Sequence, residues 1–355
     1  MKWQASRWAR VVAGAVALVA LQTAQAWSGD GHKTVGTIAA ALIKGTPAEA
    51  RVTALLGGLS LADAAVWGDC VKGIDPRRNY GYTVTGRYAE CAVYEARPDL
   101  LAEMADFVRR IDLQCGTAEG NENCHKQAHY VNMPVQRSRY ELGFTGTREY
   151  DLVGAARTAV KVLQGQPAPA AYNLKGQREA LLMLVHFVGD LHQPLHVGSV
   201  YLDADGHPVD PEKTGFDAST HTIGGNRILK LVTADKPASI AEYAAGFRPP
   251  NLHTVWDDGS GPLGPTHVDA AWVAAAAKQP ALAGEPSAWP ELIFNDTLEQ
   301  ARAAFDGLEF SARQGQLWTV RLSEAYEARM LQIKREQLTR AGARLAQLLQ
   351  AIFPN

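Results

Sequence analysis

Residues 178–196 read REALLMLVHFVGDLHQPLH. From Leu181 to Val188 the stretch is apolar on nearly every side, which predicts a helix buried all round. Into that helix the chain places His186 and Asp190, four residues apart and therefore on one face. An ionisable pair in apolar surroundings costs on the order of several kcal/mol unless something compensates it. A metal ion would, because neutral imidazole and carboxylate are ligands that zinc accepts. The plainer reading is a core histidine hydrogen-bonded to an aspartate one turn away. Pro194 then stops the helix, and His196 follows in a segment that can fold back towards the same face. That third ligand type, just past a helix break, favours the metal.

Outward from this stretch, helical signals dominate. Thr34–Ile43, Pro47–Leu56, Leu61–Asp69, Pro98–Ile111, Arg148–Leu163, Gln177–Asp190, Thr266–Lys278, Pro286–Phe305 and a long amphipathic Leu317–Ile352 all carry helical periodicity. Strand-like runs are few, chiefly Tyr80–Thr85 and the flanks of a loop over 198–230. The chain shows no internal repeat and no linker long enough to divide it. One all-α domain is the expected architecture, large for a single core but within range if it packs around a central site. The longest irregular stretch, Gly198–Asn226, carries Asp203, Asp205, Asp210, Asp217, His207 and His221. Its spacing matches no calcium loop, so it reads as a solvated insertion.

The first 26 residues read as an export signal: Lys2, Arg7 and Arg10, an apolar Val11–Leu21, then the small-x-small site Ala24-Gln25-Ala26. That apolar run is too short to span a bilayer comfortably, and no membrane anchor is expected elsewhere. Cleavage between Ala26 and Trp27 would leave residues 27–355 as one domain, secreted or periplasmic. Losing three basic residues takes the formal charge from −2 to −5. A mildly acidic chain lacks the basic footprint of a non-specific nucleic-acid binder, though metal ions can supply positive charge to an enzyme. The four cysteines suggest two disulfides in an exported protein. Cys70–Cys91 and Cys115–Cys124 are favoured because each pair brackets a polar or glycine-rich loop, while the other pairings stay open.

Ten histidines separate by their neighbours. His32 lies five residues after Trp27, His129 sits in AHYVN, and His253 stands four residues before Asp257 in HTVWD, a second His/Asp pair on one helical face. Asp69 ends AAVWGD. His125, His192, His207, His221 and His267 read as surface or supporting residues. Taken together, W-SGDG-H at 27–32, WGD at 67–69, HYVN at 129–132, H-FVG-D-LHQPL-H at 186–196, GGN at 224–226 and H-TVW-D at 253–257 resemble the zinc-dependent single-strand nuclease and 3′-nucleotidase family, whose fungal members are nucleases S-one and P-one. Six motifs in the family's order make the resemblance strong.

The resemblance implies a phospholipase C/nuclease P-one-like helical fold around three zinc ions. Asp69, His129, His186 and Asp190 would hold the first, and His196, His253 and Asp257 the second. Trp27, through its α-amine and carbonyl oxygen, would hold the third with His32, and Asp190 would bridge first and third. It also implies attack on phosphorus by water that zinc activates, giving 5′-phosphate products from single-stranded DNA, RNA and 3′-mononucleotides. Asp190 is then the catalytic carboxylate at the cluster. Lys72 would offset phosphate charge in the transition state, Tyr130 would stack on a nucleobase, and Asn226 would contact the nucleotide. Asn132 stands where well-known members carry Asp; an amide donates as well as accepts, so base preference can differ. A monomer is expected. Two rivals are a zinc-dependent phospholipase C, which carries HxxxE where this chain has HTVWD, and an exported zinc-binding protein without catalysis, which would need neither Lys72 nor Tyr130 beside a ligand.

Overall fold

The organising helix runs Gln177–Leu191, and every residue from Ala180 to Leu191 is buried. In the computed structural model, which describes residues 27–111, 124–169, 172–231 and 250–355, this helix is enclosed by others. Leu152–Leu163 lies along it, and Pro47–Leu56, Leu61–Ala65, Trp67–Val71, Trp289–Phe305 and Glu324–Ile352 close the remaining sides. A helix apolar all round can be stable in water only when it is surrounded in this way. The first helix, Gly29–Ile43, packs along the last, Glu324–Ile352, so both ends of the described chain frame the core. Local signals set the starts: the Asp151 carboxylate accepts from the N–H groups of Val153 and Gly154, and Ser323 accepts from Tyr326, each satisfying a donor that the first helical turn leaves open.

Strands among the described residues are two or three residues long and act as staples. Met133–Pro134 pairs parallel with Gly198–Ser199, and the Val131 N–H donates to the His196 carbonyl at 2.8 Å. The segment after His129 is thereby fixed to the segment carrying His196. Ile228–Lys230 pairs parallel with Trp318–Val320, Ile74–Asp75 antiparallel with Gly81–Tyr82, and Tyr201–Leu202 antiparallel with Pro208–Val209. The mostly helical single domain expected from the sequence is the fold observed.

Several boundaries differ from the sequence reading. The last helix starts at Glu324, not Leu317, because Trp318 and Val320 are buried while Thr319 is not, the period of a strand. Leu61–Asp69 is two helices, Leu61–Ala65 and Trp67–Val71, broken at Val66. The first helix begins five residues early, at Gly29. Thr266–Lys278 resolves into a 3-10 turn and a helix over Ala270–Ala277. The expected strand Tyr80–Thr85 shrinks to Gly81–Tyr82.

The 198–226 stretch is not a solvated insertion throughout. Gly198–Leu202 is buried, and only its outer part is mostly exposed.

Cys70 and Cys91 form a disulfide. Cys124 is also disulfide-bonded; its expected partner Cys115, like the signal segment 1–26, lies outside the described residues. No described helix is long and apolar enough to cross a membrane.

Candidate metal centre

Four elements and a turn converge at the C-terminal half of the central helix. The helix supplies His186 and Asp190, both without solvent exposure. The short helix after Pro194, Pro194–Val197, carries His196, and Leu252–Asp257, capped by Asn251, carries His253 and Asp257 on one face. Trp67–Val71 presents Asp69, the first helix presents His32, and His129 follows the short helix Cys124–Gln127. Close approach is made possible by two glycines. Gly68 lies against the His186 ring and Gly189 against the His32 ring, with no room at either for a Cβ.

Backbone carbonyls orient three of the imidazoles. Nδ1 of His186 lies 2.7 Å from the Ala65 oxygen, that of His196 2.6 Å from the His129 oxygen, and that of His253 2.7 Å from the Gly224 oxygen. A carbonyl only accepts, so each Nδ1 carries a proton and each Nε2 points inward. This is how a ligating histidine is usually held. His196 Nε2 and His253 Nε2 then face each other at 3.2 Å, with Asp257 Oδ2 3.4 Å from His253 Nε2 and Asp257 Oδ1 3.7 Å from His196 Nε2. Donor atoms about 2.1 Å from a tetrahedral zinc stand about 3.4 Å apart, so the triangle has the size of a metal's ligand set.

The second cluster is denser. His186 Nε2 lies 3.0 Å from His129 Nδ1 and 3.2 Å from Asp190 Oδ2, and His129 Nδ1 is 3.0 Å from the same oxygen. Asp69 Oδ1 is 3.9 Å from His186 Nε2. On the far side of Asp190, His32 Nε2 stands 3.4 Å from Oδ1 and 3.8 Å from Asp69 Oδ2, with the His32 and His186 rings stacked at 4.0 Å. Three buried donor groups result: His32, His186 and Asp190; Asp69, His129 and His186; His196, His253 and Asp257.

The donors fit a bound cation. Both ring nitrogens of His32, Oδ1 of Asp190 and Oδ2 of Asp257 are buried with no hydrogen-bond partner, which is costly unless an ion occupies the space between them. Oxygen and nitrogen donors without sulfur suit zinc in a hydrolytic site.

Ionisation points the same way. Burial, and then the neighbouring His186, lower His32; burial and then Lys72 lower His129; burial lowers His253. Burial opposes the charge of Asp190, yet His186 and His196 outweigh it and hold this carboxyl well below the usual carboxylate range. Burial likewise opposes the charge of Asp69 and is outweighed by Lys72 and then His186. For His186 and His196 burial is overcome by Asp190, which raises both. Protons on these two imidazoles and a metal ion compete for one space.

The remaining sequence-derived residues fall at different depths. Trp27 is fully buried, and its indole N–H donates to the Gly189 carbonyl at 3.0 Å, one residue before Asp190. The Ser28 N–H donates to the Asp257 carbonyl at 2.7 Å. Lys72 is no solvated charge: its ammonium is 2.8 Å from Asp69 Oδ1 and its side chain only 7% exposed. Tyr130 is half-buried beside His129. Asn132 adopts φ 59°, is 4% exposed, and its carbonyl accepts from the Tyr201 hydroxyl. Asn226 spends its side chain within the loop, donating to the Ile223 carbonyl and facing Asn251.

Two histidines read as surface or supporting residues belong to the core instead. His125 is 3% exposed, and His192 is fully buried, where Gln337 and Arg344 of the last helix reach it. Half-buried Asp203 and the exposed Asp205 and His207 form a turn in which the Asp203 carboxylate accepts backbone N–H bonds from the other two.

Missed by the sequence reading was Gln193, which is fully buried and donates through Nε2 to Asp257. Its place between two candidate ligands was the only available signal.

A helical scaffold enclosing a buried, sulfur-free His/Asp donor set is of the kind that can hold metal ions for hydrolysis. Residues 27–354 match the S1/P1 nuclease family model. The chain belongs to that family and is a nuclease, hydrolysing phosphodiester bonds. It is 26% identical over 230 residues to Endonuclease 2 of Arabidopsis thaliana, covering 63% of this chain and 71% of that protein. Over 106 residues it is 29% identical to Endonuclease 1 of the same plant, 28% of this chain and 34% of that protein.

Proposed function

We propose that this nuclease is exported, depends on three zinc ions, and cuts single-stranded DNA and RNA to 5′-phosphate products while also removing phosphate from 3′-mononucleotides. The observation that carries the reading is the set of buried, unpartnered donor atoms on His32, Asp190 and Asp257, which face histidines at ligand spacing. Asp69, His129, His186 and Asp190 would hold one ion, and His196, His253 and Asp257 another. Trp27 and His32 would hold the third, with Asp190 shared. When bound, zinc supplies Lewis acidity and lowers the pKa of water to about 7.

The chain's own residues do the rest. Asp190, at the junction of the donor groups, keeps the two sides of the cluster in register. Lys72 presents a cation beside Asp69 where phosphate charge would accumulate, and a donor preorganised in a low-dielectric site is worth more than the same donor in water. Half-buried Tyr130, next to His129, would stack on a base, a contact that contributes about 1–3 kcal/mol per base. A stacked base must first leave its duplex, which favours single strands. Asn132 and Asn226 are assigned to the nucleotide's edge. For Asn226, the amide already engaged with Ile223 and Asn251 would have to share its bonds. Export is supported by the Cys70–Cys91 disulfide, since such bonds persist in oxidising compartments; cleavage between Ala26 and Trp27 and a monomer are proposed with it.

The test is parallel incubation of zinc-loaded protein with matched single- and double-stranded DNA, RNA, 3′-AMP and phosphatidylcholine, beside a chelator-treated control. Faster cleavage of the single strands, release of phosphate from 3′-AMP and loss of both on chelation are expected. Equal rates on single and double strands, or turnover of the lipid alone, would refute the assignment.

A further inference from the structure

We infer that Gln193 is a positioning residue that turns Asp257 so that one oxygen, Oδ2, is offered to the metal and the other is withheld. The inference rests on the metal-centre reading above and deepens it. Gln193 follows the central helix directly, its N–H donating to the Asp190 carbonyl at 3.0 Å. Its side chain has no solvent exposure. Oε1 accepts from the Leu195 N–H and so caps Pro194–Val197, the helix carrying His196. A backbone N–H can only donate, so Oε1 must face Leu195 and Nε2 must face Asp257. The amide orientation is therefore fixed by chemistry, and Nε2 donates to Asp257 Oδ1.

The consequence falls on Asp257. Its Oδ1 has a donor, whereas Oδ2 is buried without one and lies 3.4 Å from His253 Nε2. A hydrogen-bonded carboxylate oxygen keeps a second lone pair, but the donor on Oδ1 fixes the rotation of the group, and Oδ2, buried with no other partner, is the oxygen a cation would satisfy first. Backbone contacts hold the same turn from behind: Ser28 donates to the Asp257 carbonyl, and Lys334 donates to the Val255 and Asp258 carbonyls. None of these touches the carboxylate, so Gln193 alone among them sets which oxygen faces His253. Holding Asp257 to one oxygen keeps the ligand count at this site low and leaves coordination room for a substrate oxygen, as an open hydrolytic zinc site requires. One residue thus links the backbone of Asp190, the helix of His196 and the carboxylate of Asp257.

Two variants test this. Gln193→Met keeps the length and removes both bonds; Gln193→Glu keeps an acceptor for the Leu195 N–H and removes the donor to Asp257. Each is loaded with Co2+, whose visible absorption weakens as coordination number rises, and zinc affinity is measured by competition with a chromogenic chelator. Cleavage of single-stranded DNA gives kcat and KM. Melting of the metal-free forms checks the fold. Expected are weaker Co2+ absorption in both variants, a kcat loss of about 10–100-fold with KM little changed, and in Gln193→Met a zinc affinity lower by about 10–100-fold at one site. If Gln193→Met fails to fold, Gln193→Glu decides alone. A folded variant with the wild-type spectrum and kcat overturns the inference. Wild-type protein that takes up no metal overturns the metal-centre reading itself, a result visible before any variant is compared.

Discussion

Replacing Gly189 with alanine sets two effects against each other. In a helix interior alanine is favoured over glycine by about 1 kcal/mol, so Gly189→Ala should stabilise the central helix if space allowed. Space does not allow it. The added Cβ would stand 2.7 Å from His32 Nδ1 and 2.9 Å from His32 Cε1. Against ordinary carbon–nitrogen contact, the shortfall is roughly 0.7 Å. The helix cannot retreat, being packed on every side, and the Gly189 carbonyl accepts the Trp27 indole N–H. His32 must therefore yield, although its ring is stacked on His186. Overpacking of this kind costs about 1–3 kcal/mol, so the net change in metal-free stability lies between about zero and 2 kcal/mol of destabilisation. In a chain of this size that moves Tm by no more than several degrees, at roughly 2–4 °C per kcal/mol. Metal binding is far less tolerant, because ligand distances must hold within about 0.2 Å. The expected outcome is a folded protein that loses the ion held by His32 and Asp190 and most of its activity. Elemental analysis after dialysis, melts with and without chelator, and cleavage of single-stranded DNA report the three quantities. A Gly189→Ala protein with wild-type metal content and rate would refute the reasoning.

Two further outcomes follow from other parts of the molecule. Asp151 is pushed up from the ordinary 3.8 to about 6 by burial, against the donors that face it. A raised carboxyl favours the folded state below the unfolded pKa and loses that contribution as pH rises through the folded one. Metal-free protein should therefore lose stability as pH rises from about 4 to 6, by roughly 3 kcal/mol from this group at most, and Asp151→Asn should flatten that slope in denaturant titrations; an unchanged slope would remove Asp151 as its source. A mature form extended to Gly-Trp27 turns the terminal amine into an amide, a poor donor because its lone pair is delocalised. It should keep its helices by circular dichroism yet lose one zinc and most activity, and equal zinc content and rate would show that Trp27 is no ligand.

What could be read from the sequence was whatever a single element determines. His186 and Asp190, and again His253 and Asp257, are visible because a helix repeats nearly every fourth residue on one face and because the first pair sits in an apolar run that cannot ignore it. Partners distant in the chain decide what was missed. Trp318–Val320 is a strand because Ile228–Lys230, about ninety residues earlier, lies beside it. His192 looked like a supporting residue, yet the last helix supplies Gln337 and Arg344 to satisfy it inside the core. Gln193 carries no signal of its own in the sequence, and only the arrival of Asp257 shows what its amide holds. Val66 breaks a run whose periodicity continues through it: Leu61–Ala65 packs on the first helix, whereas Trp67–Val71 packs on Pro98–Ile111, and both touch the central helix. Lys72 stands three residues after Asp69 in the sequence, but only the structure shows its ammonium 2.8 Å from that carboxylate.

The first two described residues also bear on how the centre is assembled. Trp27 reaches the helix turn that precedes Asp190, and Ser28 reaches the backbone of Asp257 while its hydroxyl accepts from the Gly259 N–H. The same short segment therefore touches the element of one donor group and the turn of another, and leads straight into the helix of His32. Both sides of the centre are therefore in contact with this one segment. The buried oxygens of Asp190 and Asp257 are among the groups that the protein leaves without donors, and a cation seated there would recover what desolvation costs. Loosening residues 27–28 from Gly189 and Asp257 is therefore expected to weaken cation binding on both sides, because the same segment supports the elements that carry both donor groups.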